Sequence, residues 1–392
     1  AMLKKYDALN ASVQENLIAI RVVKAFVRSD YEKEKFDKSV DDVREMQLKA
    51  EKLIVVMMPI MQMIVYLCIC AVLWFGGNKI VQGTMLTGEL ISFISYVTQI
   101  LMSLMMLSML LLNLVLSRAS IGRIVEVLDE VPDIQNGANA LDTIPDGSID
   151  FDDVYFSYKK GSENYILSDV NLHIKPGETI GILGGTGSAK STLVQLIPRL
   201  YDVSRGSVRV GGHDVREYDV EALRDAVAMV LQKNVLFSGT IRDNLRWGDK
   251  DATQEEIEAA CRAAQAHDFI MSFPDGYDTD LGQGGVNVSG GQKQRLCIAR
   301  ALLKHQKVVI LDDSTSAVDT ATDASIRRAL HEEFSHITTL IIAQRVASVM
   351  NADKIIILDE GRIADMGTHD ELMARSAIYR EIYTSQMKGA EA

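Results

Sequence analysis

Two long stretches without a charged side chain, Leu53 to Asn78 and Leu90 to Ser117, set the first limit on how this chain folds. An α-helix of about 20 apolar residues crosses the roughly 30 Å hydrocarbon core of a bilayer. Both stretches are longer than that, and uncharged runs of this length are rare in soluble cores. They are expected to be membrane helices over about 53–78 and 89–117, joined by a short turn within Lys79–Glu89. The chain before them, up to Lys52, is dense in Lys and Arg, and Arg118 and Arg123 follow the second run. The positive-inside rule then places both ends of the hairpin on the cytoplasmic side. Residues 1–16 lack the apolar centre of a cleavable signal.

Residues 2–52 are charged, free of Pro and Gly, and carry Leu17, Ile20, Val23 and Val27 at a spacing that suits one helical face. A helix is expected to continue past the second apolar run through Ile121–Leu128. Pro132, Gly137, Pro145 and Gly147 then mark a linker. The expected organisation is an all-α partial transmembrane domain over 1–130, a linker over 131–147 and an α/β domain over 148–388. A formal net charge of −12 over 392 residues argues against a general nucleic-acid binder. The four cysteines have no metal-binding spacing and are expected to be reduced. Gln62, Gln99 and Asn113 lie within the apolar runs, where a substrate path and interhelical hydrogen bonding are both open readings. The methionine-rich run Met102–Met109 would suit varied apolar substrates or ordinary packing equally well.

From Ser148 onward, short β-rich runs such as Ser148–Phe156 and Thr179–Leu183 alternate with helical ones such as Ser191–Leu200. The segment ETIGILGGTGSAKSTLVQLI reads as strand, glycine-rich loop and helix start. Gly184, Gly185, Thr186, Gly187, Ser188 and Ala189 would turn backbone N–H groups onto phosphate oxygens, and the helix N-terminus adds a favourable dipole. Lys190 would neutralise the β- and γ-phosphates, Ser191 would ligate Mg²⁺, and Thr192 completes the loop. KVVILDD is an apolar strand ending in Asp312 and Asp313; Asp312 is expected to hold Mg²⁺ through water. VSGGQ, with Ser289, Gly290, Gly291 and Gln292, precedes a helix and presents a second set of N–H donors to a phosphate. Gln232 follows the apolar run VAMVL, and Tyr158 ends an aromatic-rich strand where a ring could stack on adenine.

This ordered set resembles the ATP-binding cassette family over Ser148 to about Met387. The resemblance implies a parallel sheet core with an antiparallel β portion and a helical signature subdomain, binding ATP and Mg²⁺. It implies that Tyr158 stacks on adenine and that Gln232 couples Mg²⁺ to the membrane part. The loop Ser316–Asp319 would communicate between two cassettes. ENLIAIRVVKAF, the two apolar runs and SRASIGRIVEVLD look like the back end of an exporter's membrane domain. Such half-transporters carry six membrane helices, so the chain is expected to be a fragment lacking the first four. A coupling helix near Glu15–Ile20 would dock on the partner's cassette, in the cytoplasm beneath the plasma membrane.

Three positions depart from that family's pattern. Asp313 stands where the family has the Glu that positions the attacking water, Gln344 where it has the switch histidine, and Ala189 where the loop has a glycine. A carboxylate one methylene short and an amide that cannot carry a proton both weaken hydrolysis. Ala189 strains the loop if its φ is positive. VSGGQ is intact, and in this family each ATP lies between one subunit's loop and the other's signature. The expectation is the degenerate half of a heterodimeric exporter of amphipathic or drug-like compounds: its own site binds ATP with weak hydrolysis, and its signature completes the partner's. A non-hydrolysing regulatory subunit is the alternative.

Overall fold

The computed structural model describes residues 2–313 and 318–388. The chain divides into two compact units, Ala1–Val131 and Pro132–Ala392.

Among its described residues the first unit holds three helices, α1 (Met2–Ala25), α2 (Ser29–Val81) and α3 (Thr87–Leu128). Polar pairs set α1 antiparallel to the first part of α2: Lys5 bonds Asp42, Tyr6 Oη donates to Gln47, Lys35 bonds Glu15, and Asn16 donates to Glu32. Further on, α2 and α3 approach closely at Gly76, where an added Cβ would collide with the Leu90 side chain. Small residues permit such close helix packing in membranes. Pro59–Val81 and Thr87–Leu128 are long and apolar enough to span a bilayer, and almost none of their most apolar windows is buried within the unit. Both helices overrun the apolar stretches read from the sequence, because helical hydrogen bonding does not stop where the apolar composition does. At 42 residues and about 1.5 Å per residue, α3 is longer than a bilayer is thick. Pro59 lies inside α2 without ending it. Glu15–Ile20 forms no separate helix: it is interior to α1, and the break comes at Phe26–Arg28, where Val27 takes φ 53°.

Among its described residues the second unit contains ten strands. Four of them, β1 (Ile149–Phe156), β2 (Leu167–Ile174), β4 (Arg205–Val210) and β5 (His213–Asp214), form an antiparallel sheet in the order β2-β1-β4-β5. The others are β3 (Thr179–Leu183), β6 (Val227–Val230), β7 (Val308–Asp312), β8 (Thr338–Ile342), β9 (Lys354–Asp359) and β10 (Arg362–Gly367). They form a six-stranded sheet in the order β10-β9-β3-β8-β7-β6. Its strands pair in parallel except at the β10 edge.

Strands covered on both faces read as unbroken apolar runs, and VVILD and TTLII are buried throughout. Successive side chains point to opposite faces. Val308 and Ile310 therefore join Phe151, Ile180 and Leu193 in one core, while Val309 and Leu311 join Leu296, Ile298 and Leu302 in the other.

The helices of this unit are α4 (Lys190–Gln195), α5 (Val220–Ala226), α6 (Ile241–Leu245), α7 (Gln254–Ala263), α8 (His267–Met271), α9 (Gly290–Leu302), α10 (Thr320–Glu333), α11 (His369–Arg375) and α12 (Ala377–Lys388). The helix expected over Ser191–Leu200 is cut to α4. Beyond it Leu196 and Ile197 donate to Leu193 and Val194, three residues back. This tightening precedes Pro198, which has no N–H to extend a ladder. Part of the stretch read as linker packs on this unit. Leu141 bridges Tyr218, and Asn136 Oδ1 accepts from the Val220 N–H.

Candidate nucleotide site

Strand β3 ends at Leu183, and the glycine-rich loop follows directly. At Gly184 an added Cβ would collide with the Leu358 carbonyl and stand 2.6 Å from Ser188 Oγ, so the loop can cross the tip of β9 only with a glycine there. Lys190 opens α4, and its ammonium is held inside the loop. It donates to the carbonyls of Gly184 (2.9 Å) and Gly185 (2.7 Å) and to Ser188 Oγ (3.3 Å). Burial holds that ammonium below the ordinary lysine value, while Asp312 and Asp313 act in the opposite direction. A polyphosphate supplies the counter-charge that the loop's carbonyl dipoles supply only in part. Gly185, Thr186 and Gly187 stand exposed at the loop tip, and Ser188 is buried.

Strand β7 is adjacent to β8, which pairs with β3, so Asp312 arrives beside the loop. Ser191 Oγ donates to Asp312 Oδ1 at 3.0 Å. Burial pushes the Asp312 carboxyl above its ordinary range; Ser191 and Lys190 counter this and Asp313 adds to it. Two hard oxygens 3.0 Å apart at the foot of a phosphate loop suit Mg²⁺, which takes few protein ligands and keeps several waters. No group of three or more His, Cys, Asp or Glu side chains among the described residues could hold a metal by itself.

Asp313 is drawn into a network of amides. Its Oδ2 accepts from Gln344 Nε2 at 2.6 Å and from Gln232 Nε2 at 3.4 Å. Its main chain has φ 49°, a left-handed conformation that Asp tolerates better than most residues. Its N–H donates to the Ile342 carbonyl, and its carbonyl accepts from the buried Gln294 amide at 3.2 Å. The three positions Gln232, Asp313 and Gln344, remote in sequence, thus meet at one carboxylate. Gln294 was not singled out in the sequence. Its only signal there was a polar residue among the apolar positions of α9.

Tyr158 presents its ring half exposed, edge-on to Phe156 and Tyr201, with its hydroxyl 3.0 Å from Thr192 Oγ1. That tether fixes an aromatic face next to the loop. At the start of α9, Ser289 is the N-cap: its side chain accepts from Gln292 N–H, and Gln292 Oε1 accepts from the Ser289 N–H at 2.8 Å. Gln292 thereby shapes the helix start that carries Ser289, Gly290 and Gly291. Ser289 and Gly290 remain exposed, and the first N–H groups of a helix have no partner inside it. Of the loop Ser316–Asp319, Ser316 and Ala317 lie outside the described residues; Asp319 caps α10 by accepting from Thr322 N–H.

The open question about Ala189 is answered by its backbone, which has φ 70° and ψ 24°. A side chain in the left-handed region costs about 1–2 kcal/mol, part of which a glycine returns as chain entropy. Ala189→Gly is expected to raise stability by about 0.5–1 kcal/mol, read as a higher urea midpoint at unchanged slope.

A parallel sheet with a phosphate loop, a magnesium-type Ser–carboxylate pair and a second helix N-terminus open to solvent defines a nucleoside-triphosphate-binding α/β unit. Residues 1–104 match the ABC transporter transmembrane region and 167–316 the ABC transporter domain. An uncharacterized ABC transporter ATP-binding protein, YfiB, of Bacillus subtilis is 41% identical over 391 residues, covering 99% of this chain and 68% of that protein. An ATP-dependent lipid A-core flippase of Desulfotalea psychrophila is 37% identical over 375 residues, covering 95% and 65%. A bacterial Atm1-family ABC exporter with ATP bound superposes with a TM-score of 0.89 at 30% identity, covering 98% of this chain and 67% of that one. The chain belongs to the ATP-binding cassette transporter family. It is a membrane protein with its ATP-binding unit in the cytoplasm, and it spans about two thirds of the length of these relatives.

Proposed function

We propose that this chain is part of an ATP-driven exporter subunit. Its own phosphate loop holds ATP and hydrolyses it slowly, and its signature helix completes a faster site on a partner subunit. The observation that carries this reading is the Asp313 carboxylate, one methylene short and hydrogen-bonded to two neutral amides, in a chain whose Ser289–Gln292 helix start is fully formed.

ATP enters with its adenine on Tyr158 and its phosphates over Gly184–Thr192. Lys190 leaves the Gly184 and Gly185 carbonyls for the β- and γ-phosphates, an exchange of dipoles for full charges that favours binding. Mg²⁺, held by Ser191 and Asp312 with Gln232 nearby, would supply charge neutralisation on the phosphate oxygens. Asp313 then has to orient the attacking water. A misplacement near 1 Å costs about a hundredfold. Gln344 can donate one hydrogen bond toward the γ-phosphate but cannot bring a positive charge. Binding is retained while the step that needs exact placement is slowed, and ATP held in this way stabilises the paired state of two cassettes.

Heterodimeric assembly follows from that division of labour, because two copies of a slow site would make a slow transporter. The transported compound is proposed to be amphipathic, as the lipid named for the flippase relative is. ATPase measurement on the full-length subunit, alone and co-expressed with a subunit carrying Glu and His at the two corresponding positions, tests the reading. The expected turnover alone is about a hundredth of the complex or less. Brisk hydrolysis by the subunit alone would overturn it.

A further inference from the structure

The segment that carries Gln344 is clamped from two directions. On one side α10 holds it: Ser348 Oγ donates to Asp323 Oδ2 at 3.1 Å, and Arg327 Nη1 donates to the Ala347 carbonyl at 3.0 Å. On the other side lies α12, near the end of the described chain. There a single side chain makes both contacts: Gln386 Nε2 donates to the Gln344 carbonyl at 2.8 Å, and Gln386 Oε1 accepts from the Val346 N–H at 2.8 Å.

The geometry requires an amide. Arg345, between the two contacted residues, is extended at φ −103° and ψ 129°. An extended chain presents the carbonyl of one residue and the N–H of the residue two further on along the same edge, the pair a neighbouring parallel strand would bind. A primary amide carries one acceptor and a donor group at one tip and can satisfy both. Gln386 thus takes the place of a missing strand beside residues 344–346. The helix that delivers it is fixed. Tyr379 is fully buried and its hydroxyl meets His369 Nδ1 at 2.6 Å, while Ile382 and Tyr383 pack against the core. Ile382 and Tyr383 precede Gln386 by four and three residues, so all three share one face of α12.

We propose that Gln386 is a positioning residue for the nucleotide site, through which the C-terminal helix sets how far the Gln344 amide reaches toward a γ-phosphate. It acts on backbone, without touching nucleotide. The inference rests on the reading above that Gln344 faces the γ-phosphate, and it holds whether the site hydrolyses ATP fast or slowly. A change in α12 would then be felt at the nucleotide.

Because ADP lacks the γ-phosphate, the discriminating readout is the ratio of ATP to ADP affinity. The full-length subunit, assembled with its partner in membranes, is photolabelled with 8-azido-ATP and resolved subunit by subunit, with ATP or ADP as competitor. Gln386→Leu is expected to weaken ATP competition about three- to tenfold, the range of one lost hydrogen bond, and to leave ADP competition unchanged. Gln386→Glu keeps the acceptor for Val346 but sets a carboxylate against the Gln344 carbonyl, and is expected to be at least as impaired. Combined with Gln344→Ala, Gln386→Leu should add nothing further. Equal weakening of ATP and ADP would mark Gln386 as merely structural, and additive effects would place its action elsewhere; either overturns the proposal. If Gln344→Ala alone leaves the ratio untouched, the reading of Gln344 falls and the proposal with it. If Gln344→Ala lowers the ratio but neither Gln386 variant does, the proposal alone falls.

Discussion

Ser289→Asp is expected to cut ATP turnover of the assembled transporter by two orders of magnitude or more while leaving the subunit folded. The two halves of this result come from different properties of one side chain. As an N-cap, Asp is as good as Ser, so the box formed with Gln292 N–H keeps its acceptor and α9 keeps its start. As a neighbour of a partner-held γ-phosphate, Asp adds a full negative charge where the helix N-terminus had offered only donors and a positive dipole end. Two like charges about 4 Å apart at an effective dielectric near 20 repel by about 4 kcal/mol, which corresponds to nearly three decades in rate. Thermal unfolding of the variant should match the parent, and subunit-resolved photolabelling of this chain's own loop should persist. A complex that retains full ATPase activity with Asp at this position would show that the signature does not serve the partner's nucleotide.

The second large effect is a gain. Asp313→Glu together with Gln344→His is expected to raise hydrolysis at this chain's own loop by about ten- to a hundredfold. The longer side chain carries the carboxylate toward the water, and the imidazole can deliver a proton-bearing donor to the γ-phosphate. The two changes must be made together, because the 2.6 Å hydrogen bond between Gln344 and Asp313 makes them a single unit. Residues in direct contact do not contribute additively. Glu alone, still facing the Gln344 and Gln232 amides, should recover only part of the effect. Single-turnover hydrolysis with the partner's phosphate loop disabled by a Lys→Ala change isolates this site. No gain in the double variant would direct attention to the strained Ala189, whose φ of 70° lies directly before Lys190, or to the partner's signature.

Much of the site was legible in the chain because its chemistry is written in contiguous motifs. Gly184–Ala189 sits between a strand and the helix that Lys190 opens, as its composition implies, and the unbroken apolar run VVILD is a strand covered on both faces. Two charge-free runs read as membrane helices, and both fall in helices long and apolar enough to span a bilayer. Less legible were the places where distant segments compete for one partner. In the fold the Gln292 side chain also accepts from the Ser289 N–H, closing the helix start. Helix α4 ends sooner than its apolar pattern implies because Pro198 withholds a donor. Neither Gln294 nor Gln386 could be selected from among the chain's other glutamines, because a primary amide has no periodicity or spacing of its own.

By itself the sequence determined which local conformations are affordable: helices through the charge-free runs, a glycine turn at the loop, and carboxylates at the end of an apolar strand. Those follow from interactions within a few residues, from burial periodicity and from the cost of unpaired backbone in lipid. Only the tertiary structure decided that Gln232, Asp313 and Gln344 share one carboxylate, that Ala189 is left-handed, and that α12 supplies the missing edge beside the Gln344 segment. Each of these depends on strand order and on which backbone groups are left without a ladder partner, and that is settled only when the sheet closes.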